Sequence, residues 1–370
     1  MIAGGYATNS IGYLGFNAGS VGTATVSSGT WANSSTLTVG SGSSGTLNAD
    51  GGSVTNSIGY LGINAGSVGT ATVSGGTWAN SSDLLVGNTG TGTLNVTGGS
   101  VTSSTGYLGY YAGSHGRVTV SSGTLANSGN LTVGRSGTGT LTMTGGLVSV
   151  SGTLSQGTHR TINLNSGGML QIGVGGTTGV LGVAALTNNG TLIFNRSDAS
   201  TYSGVLSGSG AVTKQAAGLL TLAGANSYSG RTTISAGTVA LSGTGSIGTG
   251  GLNLGTTGSP GVFDLLGLTA GSYSLPSSTS LAGVGTISGS GKSLTVLGSL
   301  APGNSAGTIT VGSGLSLDLS LSGSSVFEIT SPAFTAGTFD LISGDGSVVF
   351  GGILNLAFSG GTYAEGTDVL

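Results

Sequence analysis

Asn9-Ser-Ile-Gly-Tyr-Leu-Gly-Phe-Asn-Ala-Gly-Ser-Val-Gly-Thr-Ala-Thr-Val-Ser27 returns with one change as Asn56-Ser-Ile-Gly-Tyr-Leu-Gly-Ile-Asn-Ala-Gly-Ser-Val-Gly-Thr-Ala-Thr-Val-Ser74, and more loosely as Ser103–Ser121. The copies stand 47 residues apart. Between them lie stretches that open N-S-S-x-L-x-V-G, at Asn33 and Asn80. The chain therefore divides into Asn9–Ala32, Asn33–Thr55, Asn56–Ala79, Asn80–Thr102, Ser103–Ala126 and Asn127–Ser149, each of 23 or 24 residues. A unit so short and so rich in glycine cannot enclose a core of its own. It is one coil of a stack.

Alignment on Gly22, Gly45, Gly69, Gly92, Gly116 and Gly139 assigns a task to each position. Two residues on stand Ala24, Leu47, Ala71, Leu94, Val118 and Leu141; four on stand Val26, Ala49, Val73, Val96, Val120 and Met143. The residues between are Thr, Asn or Arg117, so apolar and polar side chains alternate with a period of two, which is a strand with one buried face. Seven residues past the aligning glycine comes Gly29, Gly52, Gly76, Gly99, Gly123 or Gly146, the place of a corner that needs positive φ or close backbone approach. Two further apolar columns, Trp31/Val54/Trp78/Val101/Leu125/Val148 and Leu14/Val39/Leu61/Val86/Leu108/Val133, bring the count to three strands per coil. The expected fold is all-β, a right-handed parallel β-helix in the form of a three-sided β-solenoid. Asn9, Asn33, Asn56, Asn80 and Asn127 form one more column, broken at Ser103, whose amides are placed to bond from coil to coil. Each coil should rise ~4.8 Å.

Composition supports this once the period is known. Gly is 79 of 370 residues and only 5% are charged, yet the mean hydropathy is +0.35 and the net charge −3, which is not the profile of a disordered chain. Glycine every few residues excludes helix. A surface wetted by Ser, Thr and Asn carries no field to steer nucleic acid or anionic membrane, so neither is an expected partner. Cysteine is absent, which suits export through an oxidising compartment. The opening Met1–Gly5 does not read as a signal peptide, no apolar run reaches membrane-spanning length, and both ends read as cut from a longer exported protein.

Regularity fades after Ser149, and the chain is expected to divide into regular repeats over 1–150 and a less regular continuation over 151–370. Within the latter, Gly208–Val239 includes Lys214, Leu220, Leu222, Gly224, Asn226, Tyr228, Gly230, Thr232, Ile234, Gly237 and Thr238. These residues fall on the pattern of the autotransporter-associated β-strand repeat, also called the passenger-associated transport repeat, which the segment resembles. Ala216 and Leu219 stand where that repeat usually has Gly, so 208–239 reads as a variant copy. Gly298–Gly312, with its A-P-G-N-S core, is similar to the segment that commonly follows such repeats. The resemblance implies an extended β-helix exported to the bacterial surface, anchored by a translocator β-barrel or sorting signal downstream, and brings no catalytic residue.

Matches to catalytic motifs are accounted for by composition. Gly303–Gly307 fits G-x-S-x-G, but no His follows Ser305. Gly40–Gly45 and Gly243–Gly248 fit G-x-G-x-x-G, but no helix follows to meet a phosphate. Asp50 and Asp83 are out of register with the coil, the carboxylates between Asp318 and Asp345 read as a solvated rim, and His115 and His159 are isolated, so no catalytic, cofactor or metal residue is assigned. The Thr-x-Thr positions, such as Thr23/Thr25 and Thr70/Thr72, read as a solvated face. Tyr13, Tyr60 and Tyr107, with Tyr110 and Tyr111, are the candidate binding residues because exposed rings stack on sugars. The resulting expectation is a non-enzymatic surface or secreted stalk that acts as an adhesin or display scaffold, meets a surface glycan or cell receptor, and self-associates through open solenoid ends. A polysaccharide-active β-helix enzyme, a phage fibre and an ice-binding solenoid are the alternatives.

Overall fold

Among the described residues of the unit that runs from Met1 to Arg196, every strand pairing is parallel, and each strand pairs with the strand one coil on. The computed structural model describes residues 1–303, 306–321, 323–331 and 337–359, which contain no helix. They fall into two compact units, Met1–Arg196 and Ser197–Leu370, and both are β-solenoids.

In the first unit the register is the one the repeat dictates. Gly22 pairs with Gly45, Gly45 with Gly69, Gly69 with Gly92, Gly92 with Gly116, and Gly116 with Gly139. Ala24, Leu47, Ala71, Leu94, Val118 and Leu141 consequently stand in one column, and Leu47, Ala71, Leu94 and Leu141 have no exposed surface at all. A second face is built by strands such as Gly29–Asn33, Ser53–Asn56 and Thr77–Asn80, and a third by Thr36–Val39, Ile58–Leu61 and Asp83–Val86. Burying each leucine contributes about 1.5–3 kcal/mol. Because every coil repeats the same three columns, that gain recurs along the stack. The parallel register continues past Ser149 through Arg160–Leu164, Met169–Ile172 and Thr191–Asn195.

The 23 and 24 residue alternation has a local cause. Coils of the first kind carry a four-residue turn at the edge between the third face and the first, Asn17–Ser20, with its repeat at Asn64–Ser67 and Tyr111–Ser114. Ser20 N–H donates to Asn17 O at 3.0 Å and Gly19 adopts a φ of 76°, a turn that needs glycine at its third position. The serine hydroxyl closes it a second time, Ser67 Oγ to Asn64 O at 2.7 Å and Ser114 Oγ to Tyr111 O at 2.6 Å. The corner that precedes the turn is equally constrained. Gly62 has a φ of 69°, and a Cβ there would lie 2.2 Å from Thr91 O.

The asparagine column forms hydrogen-bonded pairs and not an unbroken ladder. Asn9 Nδ2 donates to Asn33 Oδ1 and Asn56 Nδ2 to Asn80 Oδ1, both at 2.6 Å, whereas Asn33 and Asn80 donate onward to the carbonyls of Thr55 and Thr102. Each pair is started by an indole: Trp31 Nε1 donates to Asn9 Oδ1 and Trp78 Nε1 to Asn56 Oδ1, both at 2.7 Å. Where Leu125 replaces the tryptophan, Ser103 replaces the accepting asparagine. Asn127 then donates to Ser103 Oγ at 2.6 Å, its Oδ1 is buried without a partner, and a void of about 10 Å³ opens against Leu125 and Gly106.

In the second unit, coil length varies. Val212 pairs with Thr232, Leu281 with Leu300 and Ile309 with Ile342, so one circuit takes between 19 and 33 residues. Outward loops absorb the difference while Leu220, Val239, Phe263 and Ile287 keep an unbroken interior column.

Candidate functional site

The third face of the first unit has one outward position at the centre of each short strand, and the register places Tyr13, Thr38, Tyr60, Leu85, Tyr107 and Thr132 there in turn. Tyr13, Tyr60 and Tyr107 thus share one column, two coils or ~9.6 Å apart. Thr38 and Leu85, which stand in register between these tyrosines, are only 3% and 5% exposed. At the adjoining edge, the residue after each corner glycine adds a second aromatic. Tyr13 meets Phe16 with ring centroids 4.6 Å apart, and Tyr107 meets Tyr110 at 4.9 Å, which in turn meets Tyr111 edge-on at 4.7 Å. Tyr111, Phe16 and Tyr13 are about half exposed. The five tyrosines are therefore brought to one edge, with Phe16 and Ile63 as members that the tyrosine spacing alone did not disclose.

Arg135 extends this edge by one coil. It follows Gly134 as Tyr110 follows Gly109, and its guanidinium stacks 4.2 Å from the Tyr110 ring centroid and 5.9 Å from that of Tyr107. His115 heads the neighbouring strand of the first face, in register with Thr138, and Arg117 stands two residues further along that strand. Arg160 Nε donates to Gln156 Oε1 at 2.7 Å, which holds it beside the same corner. No Asp or Glu occurs from Leu84 to Ser197, a stretch that holds four arginines and both histidines of the chain. Met1–Arg196 accordingly carries four basic residues against two acidic, +2, while Ser197–Leu370 carries three against eight, −5, in agreement with the overall −3. The nearest acid in register, Asp83, lies across from Thr105. Burial, and then the Asp83 charge, hold the Tyr60 hydroxyl above its ordinary titration range.

Other candidate chemistry resolves into structure. Asp340 is 7% exposed, and its two oxygens accept from Gly307 N–H at 2.8 Å and Glu328 N–H at 2.7 Å. It clamps two segments of backbone, and burial pushes its carboxyl up. Asp318 closes its own turn through Ser320 N–H at 2.9 Å. His115 and His159 sit at equivalent positions two coils apart, and no group of three or more metal-binding side chains occurs among the described residues. Ser305 lies outside the described residues, as do Glu365, Asp368 and the segment from Thr367 to Leu370. Both G-x-G-x-x-G matches fall in turns between strands with no helix after them. The Thr-x-Thr positions stay in register, Thr23 with Thr46 and Thr46 with Thr70, until Arg117 interrupts them. Among the described residues no helix is long and apolar enough to cross a membrane, which says nothing of a β-barrel.

The segment that matched a repeat pattern uses its marker residues internally. Tyr228 is fully buried and its hydroxyl pairs with Thr232 Oγ1 at 2.7 Å. Asn226 ties three coils together, accepting from Leu206 N–H at 2.8 Å and donating to Ser246 O at 2.6 Å. Lys214, 1% exposed, turns its ammonium back onto the carbonyls of Gln215 and Ala216. Asn226 thus links coils, Lys214 braces its own turn, and all three side chains are buried.

Comparison with known proteins matches the same segment. The family model described as passenger-associated-transport-repeat matches residues 212–241. Over 74 residues the chain is 40% identical to the adhesin BmaC autotransporter of Brucella suis biovar 1 (strain 1330), which covers 20% of this chain and 2% of that protein. The chain thus spans a small fraction of the curated relative it matches. No solved structure matches it. Residues 212–241, with the buried Lys214, Asn226 and Tyr228 among them, are thus a passenger-associated transport repeat set within a parallel β-solenoid, part of which is similar to an autotransporter adhesin.

Proposed function

We propose that this chain is a non-catalytic segment of a cell-surface or secreted passenger, and that it adheres through the aromatic edge formed by Tyr13, Tyr60, Tyr107, Tyr110 and Tyr111. The observation that carries this reading is the contrast between two sets of aromatics. Tyr228 is sealed in the interior, whereas Tyr13, in a column the fold repeats every second coil, and Tyr111, at the start of the turn beside that column, remain about half exposed. A stalk needs only the inward columns. Rings kept outward at a fixed spacing offer flat, weakly hydrated surfaces of the kind that sugar faces stack upon. The carboxylates weigh against turnover, since Asp340 is fully engaged with backbone and Asp318 with its own turn.

The test is to display the chain on a bacterium behind a secretion signal and a translocator barrel. Surface exposure is then read by added protease, adhesion on glycan-coated and cell-coated plates, and reducing-sugar release from a polysaccharide panel. Tyr107→Ala with Tyr111→Ala should reduce adhesion with surface exposure unchanged. Adhesion indifferent to these tyrosines, or sugar release lost in Asp340→Asn, would sink the proposal.

A further inference from the structure

We infer that the ligand of this edge is an acidic polysaccharide, with uronate carboxylates seated on Arg135 and Arg160 and sugar faces stacked on Tyr107, Tyr110 and Tyr111. The inference rests on the adhesive reading above and specifies its ligand. Stacking over Tyr110 at 4.2 Å spreads the Arg135 guanidinium flat against the edge and limits its rotamers. Among the described residues no carboxylate pairs with it, so the guanidinium is held by ring contacts alone. A planar fork of donors is the shape that grips a carboxylate by two parallel hydrogen bonds. Arg160 stands one coil further on, oriented by Gln156, and His115 and Arg117 flank the site on the first face.

Two features decide between kinds of ligand. A neutral glycan would use the rings but would have no use for cations concentrated where the chain carries no acid from Leu84 to Ser197. A nucleic acid would also stack on the rings, but its affinity comes from neutralising many closely spaced phosphates. This edge offers only a few arginines, on a chain whose net charge is −3. A polymer with a carboxylate on a sugar ring, run along the coils, meets aromatic faces and guanidinium forks in turn. The tyrosine column repeats every two coils, ~9.6 Å, a spacing comparable to a two-sugar step of an extended glycan.

Binding to the whole chain is measured by calorimetry with three probes: a polygalacturonate oligomer, a cello-oligosaccharide of equal length and a single-stranded oligothymidylate. The polygalacturonate should bind, and the neutral oligomer at least about tenfold more weakly, as expected from loss of one charge-assisted hydrogen-bonded contact. Arg135→Gln should weaken polygalacturonate about tenfold with the melting curve unchanged, while Arg231→Gln, in the other unit, should leave binding as it was. Equal affinity for the neutral oligomer, indifference to Arg135→Gln, or tighter binding of oligothymidylate overturns the acidic-sugar assignment. Cell adhesion that survives with no polygalacturonate binding overturns it too while leaving the adhesive reading intact. Loss of tyrosine-dependent adhesion removes both.

Discussion

Ala216 shows how a single residue records the demands of the coil. Its φ of 54° makes it the sole non-glycine among the described residues in left-handed backbone, and it stands where the repeat it belongs to usually has Gly. An L-residue pays about 1–2 kcal/mol in that conformation, part of which glycine returns through its greater unfolded entropy. Ala216→Gly should therefore stabilise the protein by about 0.5–1 kcal/mol, read as a higher denaturation midpoint. Lys214, next to it, sets a pH dependence. Burial lowers its ammonium from an ordinary 10.5 to about 8. Between those values the unfolded chain holds the proton and the folded chain does not, so stability rises with pH. Tyr202 and Tyr273 act in the opposite sense. Burial raises them from 10.0 to about 12, and the stability their neutral forms contribute is lost as pH climbs through that window. Denaturation of the Ser197–Leu370 region should accordingly be hardest near pH ~10, and Lys214→Met should abolish the rise on the acid side alone.

At the scale of the strand and its corner, the indole and asparagine act as a unit. Trp78, Asn56, Asn80 and Thr102 form one run of hydrogen bonds across successive coils, and Trp31 begins the equivalent run. The third copy lost both halves, leaving Ser103, Leu125, an unpartnered Asn127 Oδ1 and a void beside Gly106. Restoring them together, Ser103→Asn with Leu125→Trp, should fill the void and satisfy the amide. The double variant should be more stable than the sum of the single changes by about 1 kcal/mol. A double-mutant cycle by chemical denaturation measures this, and strict additivity would mean the two sites do not communicate.

For the chain as a whole, what could be read in the sequence follows from what repeats. The interior columns were legible because each recurs at a fixed offset, so that Leu47, Leu94 and Leu141 had to share a face. The tyrosine column was legible on the same ground. Arg135 was not, since corner residues change from coil to coil, Phe16, Ile63 and Tyr110 being its counterparts, and nothing periodic marks a stacked guanidinium. The paired form of the asparagine column was equally hidden, because it depends on which direction an amide turns. In the second unit, circuits of unequal length left only two short segments recognisable, that around Lys214 and Tyr228 and that from Gly298 to Gly312. A stack in which each coil meets only its neighbours also fails locally. Leu94→Asp, which buries an unpaired charge at a cost of several kcal/mol, should open the coils around Thr91–Ser103 while amides near Met169–Ile172 keep their protection. Hydrogen exchange that collapsed evenly across both segments would contradict this.

The turns at Asn17–Ser20 and Asn64–Ser67 limit how such a protein can change its length. They project from alternate coils, so neighbouring projections never share a rung. Excision of Asn56–Thr102, 47 residues, joins an Asn33-type coil to a Ser103-type coil and keeps that alternation. Excision of Asn33–Thr55 alone would set two projecting turns, and the rings of Tyr13 and Tyr60, ~4.8 Å apart. The former should leave a soluble, cooperatively melting protein and the latter a destabilised one. The heritable quantum of growth and loss in this region is then the coil pair, and natural length variants should differ by whole pairs.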